Sequence, residues 1–195
     1  MPRVSQEHLA ARRQQILDAA RTCFLRDGFH ATSMQEVIGE AGLSVGAVYR
    51  YFKSKDDLIR AIAESVIGGA DEMLADIVAQ EPPLPLLDAL DRALTHVEME
   101  SGEDGTLRIA LQVWAEALRD PGLAEFVAAT YNRFRNRFVQ IAEQARHNGE
   151  LPADVDTEAV GAALFGLIPG FVLQRILTGR PDRETYLAGV RALLG

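Results

Sequence analysis

The side chains whose types and spacing could do chemistry are concentrated between Gly42 and Lys55, in the run GLSVGAVYRYFKSK. Gly42 tolerates the left-handed backbone that a tight turn requires. Ser44 can then cap a short helix by accepting a backbone N–H bond. Within that helix Val45, Val48 and Phe52 recur at helical spacing and are expected to face inward. Ser44, Ala47 and Tyr51 lie on other faces, with Gly46, Tyr49 and Arg50 round the sides. Small residues near the N-terminus let such a helix approach a surface closely. Two phenols and a cation further on suit contacts with phosphates and base edges in the major groove of a duplex. The chemistry implied is recognition, not bond making.

No constellation for bond making accompanies it. His8, His30, His96 and His147 are scattered, without an i, i+4 pair or a cysteine companion, so neither a metal nor another cofactor is expected. Cys23 is the single cysteine; it falls on an apolar helix face as a small core residue. Phosphate loops, nucleophile elbows and dinucleotide fingerprints do not occur. Carboxylates such as Glu98, Glu100, Glu103 and Glu116 are accounted for by an acidic surface. An enzyme is not expected.

Several helices must position the Gly42–Lys55 run. Helix one starts after Ser5 and runs to about Arg26, burying Leu9, Ile16, Ala20, Cys23 and Phe24. Gly28 stops it, and Phe29 plugs the small core. Ser33-Met34-Gln35-Glu36 is a capping-box sequence opening helix two, whose N-terminus also offers amides to a phosphate. Ser54 caps a fourth, long helix running to about Gln80, with Asp56 and Asp57 favourable in its first turn. Gly68-Gly69 weakens that helix by about 1 kcal/mol per glycine. It is either a flexing point or a place of close packing.

Glu81-Pro82-Pro83-Leu84-Pro85 is the clearest break. Beyond it, helices are expected over 86–100, 106–119, 123–147, 159–177 and 183–194, with Ser101–Gly105 a loop and Asp120-Pro121-Gly122 ending a helix. The whole reads as all-α, with about nine helices and no strand-like alternation. Residues 1–55 form a three-helix domain, the helix over 55–80 links, and 81–195 form a second domain. At 195 residues and 48% hydrophobic content the chain can bury a real core.

The formal net charge of −8 hides an asymmetry. Residues 1–60 carry nine Lys/Arg against seven Asp/Glu, the remainder eleven against twenty-one. The basic end is the one bearing the Gly42–Lys55 run. One cysteine permits no intrachain disulfide, and MPRVSQEH lacks the apolar core of a signal peptide. The longest uncharged run, Ala159 to Gln174, falls short of the ~20 residues that span a bilayer. A cytoplasmic protein without membrane contact is expected.

Residues 159–177, AVGAALFGLIPGFVLQRIL, are apolar on every side apart from Gln174 and Arg175. One side packs on the chain itself; the other needs a partner. Gly166-x-x-x-Gly170 admits a second helix closely, while Pro169 bends the helix unless neighbours compensate. With the amphipathic 183–194 segment this points to a four-helix homodimer contact. Its residues are Gly166, Pro169, Gly170, Leu173, Ile176, Tyr186, Val190 and Leu193. The competing reading is a central helix buried in a monomer.

The run GLSVGAVYRYFKSKDDLI resembles the recognition region of the TetR family of bacterial one-component transcriptional regulators. ILDAARTCFLRDGFHATSMQEVIGEAG is similar to that family's first two helices and the loop between them. The resemblance covers residues 9 to 65, and beyond it only length and helical pattern are shared. It implies a helix-turn-helix domain joined to a ligand-binding and dimerisation bundle. The protein would then regulate transcription, most often as a repressor, binding a palindromic operator as a homodimer.

It further implies that Ser44, Val45, Gly46 and Ala47 face the groove, and that Tyr49, Arg50, Tyr51 and Lys55 reach phosphates or bases. Thr32, Ser33 and Gln35 fall where helix two touches the DNA backbone. Arg50 becomes the candidate for reading guanine, with thymine methyl contacts from Val45 and Ala47. An effector pocket is implied too, with Trp114, Tyr131, Phe134, Phe138 and Phe165 near it and His96, Met99 and Gln112 as further lining. Its ligand should be small and largely apolar; Glu98 or Glu116, if either points inward, would favour a cationic one. Two other readings compete: an architectural DNA binder without effector, and a ligand-binding bundle with a vestigial DNA-binding motif.

Overall fold

The computed structural model describes residues 6–100 and 106–194, and the loop expected at Ser101–Gly105 lies outside the described residues. Nine helices follow one another among the described residues, without a strand: α1 Gln6–Ala31, α2 Met34–Ala41, α3 Val45–Tyr51, α4 Lys55–Ala79, α5 Leu86–Glu100, α6 Thr106–Ala117, α7 Pro121–His147, α8 Thr157–Thr178 and α9 Arg183–Leu194.

The helix ends have local causes. The α1 backbone breaks at Gly28, with φ 80° and ψ 167°, a conformation essentially reserved for glycine. Gly42 closes α2 in the left-handed region at φ 63°. Ser54 accepts the Asp57 N–H at 3.1 Å, while Asp57 accepts the N–H groups of Lys53 and Ser54 at 2.8 and 3.2 Å. Asp120 does more than end α6: its Oδ1 accepts the Leu123 N–H at 2.8 Å, and Pro121 is the first residue of α7. A proline there costs nothing, because its missing N–H would have had no helical partner.

The chain divides into two compact units. One joins Met1–Val66 with Arg108–Leu123; the other joins Ile67–Leu107 with Ala124–Gly195. Most of α6 therefore clusters with the first three helices, although its place in the sequence suggests the second domain. In the first unit, Ile16, Leu17, Ala20, Cys23, Phe24, Val37, Val48, Leu58 and Ile62 are wholly enclosed. Phe29 packs edge-on against Phe24, with ring centres 4.7 Å apart. Fully burying each such side chain contributes about 1.5–3 kcal/mol.

The second unit centres on Leu74, Ile77, Leu90, Leu94, Phe138, Ile141, Ala142, Leu164, Phe171 and Val190. Polar side chains close its helix ends: Glu150 accepts the Leu86 N–H at 2.8 Å, and Gln144 donates to the Val78 carbonyl at 2.9 Å. The helix α4 runs unbroken through Gly68-Gly69. A Cβ at Gly68 would meet nothing within 4 Å, and one at Gly69 only His96 Cε1 at 3.9 Å. Among the described residues of the single chain, then, no neighbour packs closely on these glycines.

Helix α8 is 22 residues long and, by length and composition alone, apolar enough to cross a membrane. Only Thr157, Gly161, Leu164, Phe171 and Val172 are buried along it. Ala159, Ala162, Ala163, Gly166, Leu173 and Leu177 remain exposed in the single chain, as does Leu193 on α9. The single chain thus leaves one side of α8 uncovered, which a wholly buried central helix would not.

Candidate nucleic-acid interface

The turn between α2 and α3 is built from caps at every end. Ser33 and Glu36 complete the box: Ser33 Oγ accepts the Glu36 N–H at 3.3 Å, and Glu36 Oε2 accepts the Ser33 N–H at 2.6 Å. The Ser33 N–H first, and then the Ser33 hydroxyl donating to the same oxygen at 2.9 Å, hold the ionised Glu36 carboxylate below the usual glutamate range. Gly42 donates to the Gly39 carbonyl at 3.1 Å as α2 ends. From α1, Gln15 donates to the Ala41 carbonyl at 2.8 Å, satisfying one of the last α2 acceptors. Ser44 Oγ accepts the Ala47 N–H at 3.3 Å and starts α3.

The inward residues here are Val48 on α3 and its C-cap Phe52, with the Arg13 guanidinium 5.4 Å from the Phe52 ring centre. Val45 does not face inward as its spacing suggests: it is 59% exposed. At the first position of a seven-residue helix, Val45 lies a full turn before Val48 and past the edge of the small core. Ser44, Val45, Gly46, Tyr49 and Arg50 together make one exposed surface, with Ala47 and Tyr51 half-buried beside it. Space around Gly46 is open, and a methyl group added there would meet nothing within 4 Å. Ser33 and Gln35 are exposed at the start of α2. Lys53, which the motif did not single out, donates to the Tyr49 carbonyl at 2.5 Å, placing a cation at the end of α3.

Two of the expected contact residues are engaged elsewhere. Thr32 is 2% exposed, and its hydroxyl donates to the Gly28 carbonyl at 2.8 Å, with the Cys23 carbonyl at 3.3 Å. A hydroxyl held inward to satisfy the broken α1 end is not presented to a phosphate. Lys55 is half-buried; its ammonium donates to the carbonyls of Phe29 at 2.6 Å and Thr32 at 3.1 Å. It acts first as a cap on the end of α1. Burial pushes the Cys23 thiol up, consistent with a core residue instead of a reactive one.

The residues expected around an effector are only partly brought together. In the second unit Tyr131 and Phe165 meet edge-on at 5.0 Å, and Phe138 lies 6.1 Å from Phe165. Phe134 packs against the same core, and His96 on α5 is half-buried facing Gly69. Met99 is 76% exposed and lines nothing in the single chain. Gln112 and Trp114 fall in the first unit, where the Gln112 amide is bonded to the α1 backbone. Thr130, missed in the sequence, is buried in α7 with a hydroxyl that finds no hydrogen-bond partner among the described residues. A lone threonine inside an apolar helical run gives no sequence signal of that kind.

The carboxylates considered for a cationic ligand already have side-chain partners of their own. Glu98 accepts from Arg183 at 3.2 Å and lies 3.9 Å from Arg175. Glu116 sits 3.1 Å from His30 Nε2. Around α8, Val190 is 6% exposed in the core of its own chain, so it is not available to a partner. Tyr186 donates to the Leu167 carbonyl at 2.8 Å, two residues before Pro169, and burial raises its phenol pKa. A methyl group added at Gly170 would meet that phenol at 3.6 Å, whereas one at Gly166 would meet nothing within 4 Å. Pro169 and Ile176 are half-buried, and Leu173 is 38% and Leu193 85% exposed.

Comparison with known proteins agrees with this geometry. The family model described as "Bacterial regulatory proteins, tetR family" matches residues 16–62, and "BetI-type transcriptional repressor, C-terminal" matches residues 86–195. The HTH-type transcriptional repressor Rv1474c of Mycobacterium tuberculosis is 30% identical, over 86% of this chain and 86% of its own. Among solved structures, Salmonella enterica GusR aligns at a TM-score of 0.76 and 25% identity, covering 99% of this chain and 97% of its own. SmeT in complex with triclosan aligns at 0.77 and 25% identity over 94% and 91%; SmeT is the repressor of a Stenotrophomonas maltophilia multidrug efflux pump. The capped helix-turn-helix, the all-helical remainder and matches that together span most of the sequence lead to one conclusion: this chain belongs to the tetR family of bacterial regulatory proteins and is a DNA-binding transcriptional regulator.

Proposed function

We propose that the protein is a homodimeric repressor that holds a palindromic operator and leaves it when a small, largely apolar effector binds. The observation that carries the DNA-binding part is the exposed α3 surface of Ser44, Val45, Gly46, Tyr49 and Arg50, held between two capped ends. Val45, Gly46 and Ala47 cannot form paired hydrogen bonds to a base, so Arg50 is the residue left to read guanine. Ser33 and the first amides of α2 take a phosphate. Such a protein works in the cytoplasm, where the operator is.

Dimerisation is supported by the uncovered side of α8, where Gly166, Leu173 and Leu177 are exposed, and by Leu193 on α9. A two-fold reader needs paired recognition helices about 34–36 Å, or a multiple, apart. The effector class is supported by the ring cluster of Tyr131, Phe138 and Phe165. With Glu98 already paired with Arg183 and Arg175, a neutral ligand is favoured over a cationic one. The unpartnered Thr130 hydroxyl suits a ligand carrying one hydrogen-bonding group. SmeT, a 25% identical relative, has been solved with triclosan, which fits that class.

Fluorescence anisotropy on the DNA upstream of its own gene, across a salt series and with a panel of neutral apolar compounds, tests the reading. Tight, salt-sensitive binding that one compound abolishes is the expected result. Binding no tighter than to random duplex would overturn the operator-binding reading. Tight binding that no compound alters would remove the effector.

A further inference from the structure

The backbone of Phe29 is held at both of its polar ends by side chains from distant parts of the chain. Its N–H donates to Gln112 Oε1 at 3.0 Å, and its carbonyl accepts from Lys55 Nζ at 2.6 Å. Phe29 follows directly on Gly28, where the α1 backbone breaks. In an uninterrupted helix Gly28 would donate to the Phe24 carbonyl, and Phe29 to Leu25. The Gln112 amide bonds to the backbone on each side of the break: Nε2 donates to the Phe24 carbonyl at 3.1 Å while Oε1 accepts from Phe29. A primary amide is suited to this, since it offers a donor and an acceptor on one planar fork.

Beyond the break the bonds lead to the DNA-facing turn. Lys55 also holds the Thr32 carbonyl at 3.1 Å, and Thr32 donates its N–H to the Gly28 carbonyl at 3.2 Å. Ser33, the next residue, is the N-cap of α2. A second grip lies one residue after Phe29, where His30 Nε2 meets Glu116 at 3.1 Å and Arg119 at 3.0 Å. All these residues fall in one compact unit, which contains residues 108–123 although they lie some 50 residues beyond the helix-turn-helix.

We propose that Gln112 and Lys55 are positioning residues that act jointly through Phe29, so that α6 sets where the α1–α2 turn stands. Loosening either hold would then change operator affinity, although Gln112 stands on α6 and outside the exposed α3 surface. This rests on the proposed function for its DNA readout but not for its structural one. Spatial continuity alone does not demonstrate coupling, so the test is a double-mutant cycle on the full chain with Gln112→Met, Lys55→Met and both together.

The first readout is amide hydrogen exchange without DNA. Gln112→Met should speed exchange at Phe29 about tenfold or more, and Lys55→Met should speed it too. The amides of Leu94 and Ile141, in the other unit, should not change. Gln112→Glu keeps the acceptor for Phe29 but loses the donor to Phe24, so it should retain most of the Phe29 protection. It also serves if the methionine variant folds poorly. The second readout is affinity for a duplex that the wild-type protein selects from a randomised library.

Each single variant should weaken that binding about five- to tenfold, and the double variant should fall short of the product by at least about threefold. Strictly multiplicative losses, or unchanged exchange at Phe29 in Gln112→Met, would overturn the proposal. Failure of the wild type to select any duplex would overturn the operator reading instead, with exchange still deciding the clamp.

Discussion

Gly161 on α8 lies so close to Val139 on α7 that a methyl group added there would sit 2.6 Å from the Val139 backbone nitrogen. The obstruction is main chain, so it cannot turn aside as a flexible side chain would. Close approach inside the subunit is therefore made at Gly161, whereas the Gly166-x-x-x-Gly170 pair is the one expected to admit a partner's helix. Gly161→Ala should destabilise the protein by about 3 kcal/mol, read as a lower denaturant midpoint. Gly166→Ala, with nothing within 4 Å of its added methyl, should instead stabilise the isolated chain by up to about 1 kcal/mol through helix propensity.

The uncovered side of α8 predicts the outcome of charging it. Leu177 is 74% exposed and Leu173 38% in the single chain. Leu173→Glu with Leu177→Glu should halve the mass found by sedimentation while leaving helical circular dichroism intact. Two carboxylates facing their copies across a two-fold axis would each be desolvated without a partner. An unchanged dimer would place the interface elsewhere.

Arg50 and Lys55 should separate in DNA binding, but not as a motif alone would divide them. Arg50 is exposed on α3, so Arg50→Ala should cost about 2 kcal/mol on the preferred sequence and relax the choice of base at one position per half-site. Lys55 is held by two carbonyls. Replacing it should weaken binding to all sequences by loosening the turn, with little change in the salt slope that counts phosphate contacts. A slope reduced by about one would return Lys55 to the phosphates.

The Ser33–Glu36 box carries a pH signature. Glu36 is held below its ordinary pKa mainly by the Ser33 N–H, so the folded state favours the ionised form. That stabilisation is present above the unfolded glutamate value and is lost as pH falls through the lowered folded one. Thermal melts between neutral and strongly acidic pH should show Glu36→Gln converging on the wild type at the acid end. A constant difference across the series would contradict the box as its source.

The sequence by itself determined the helices, their caps and the family. Glycine, proline and Ser-x-x-Glu signals act through local backbone geometry, and the Gly42–Lys55 run packs so many of them together that its fold is legible without neighbours. Hydrophobic spacing placed Val48 and Phe52 correctly but misled at Val45, because periodicity does not say where a small core ends. The family resemblance implied Gln112 as pocket lining, yet the tertiary structure bonds its amide to the α1 backbone. Lys55 matched a phosphate-contacting position, and only the fold brought the broken end of α1 within reach of its ammonium. The same holds for Gly161 against Val139 and for the unpartnered Thr130. Contacts between residues far apart in the chain depend on how whole helices dock, and one sequence carries no local signal for that.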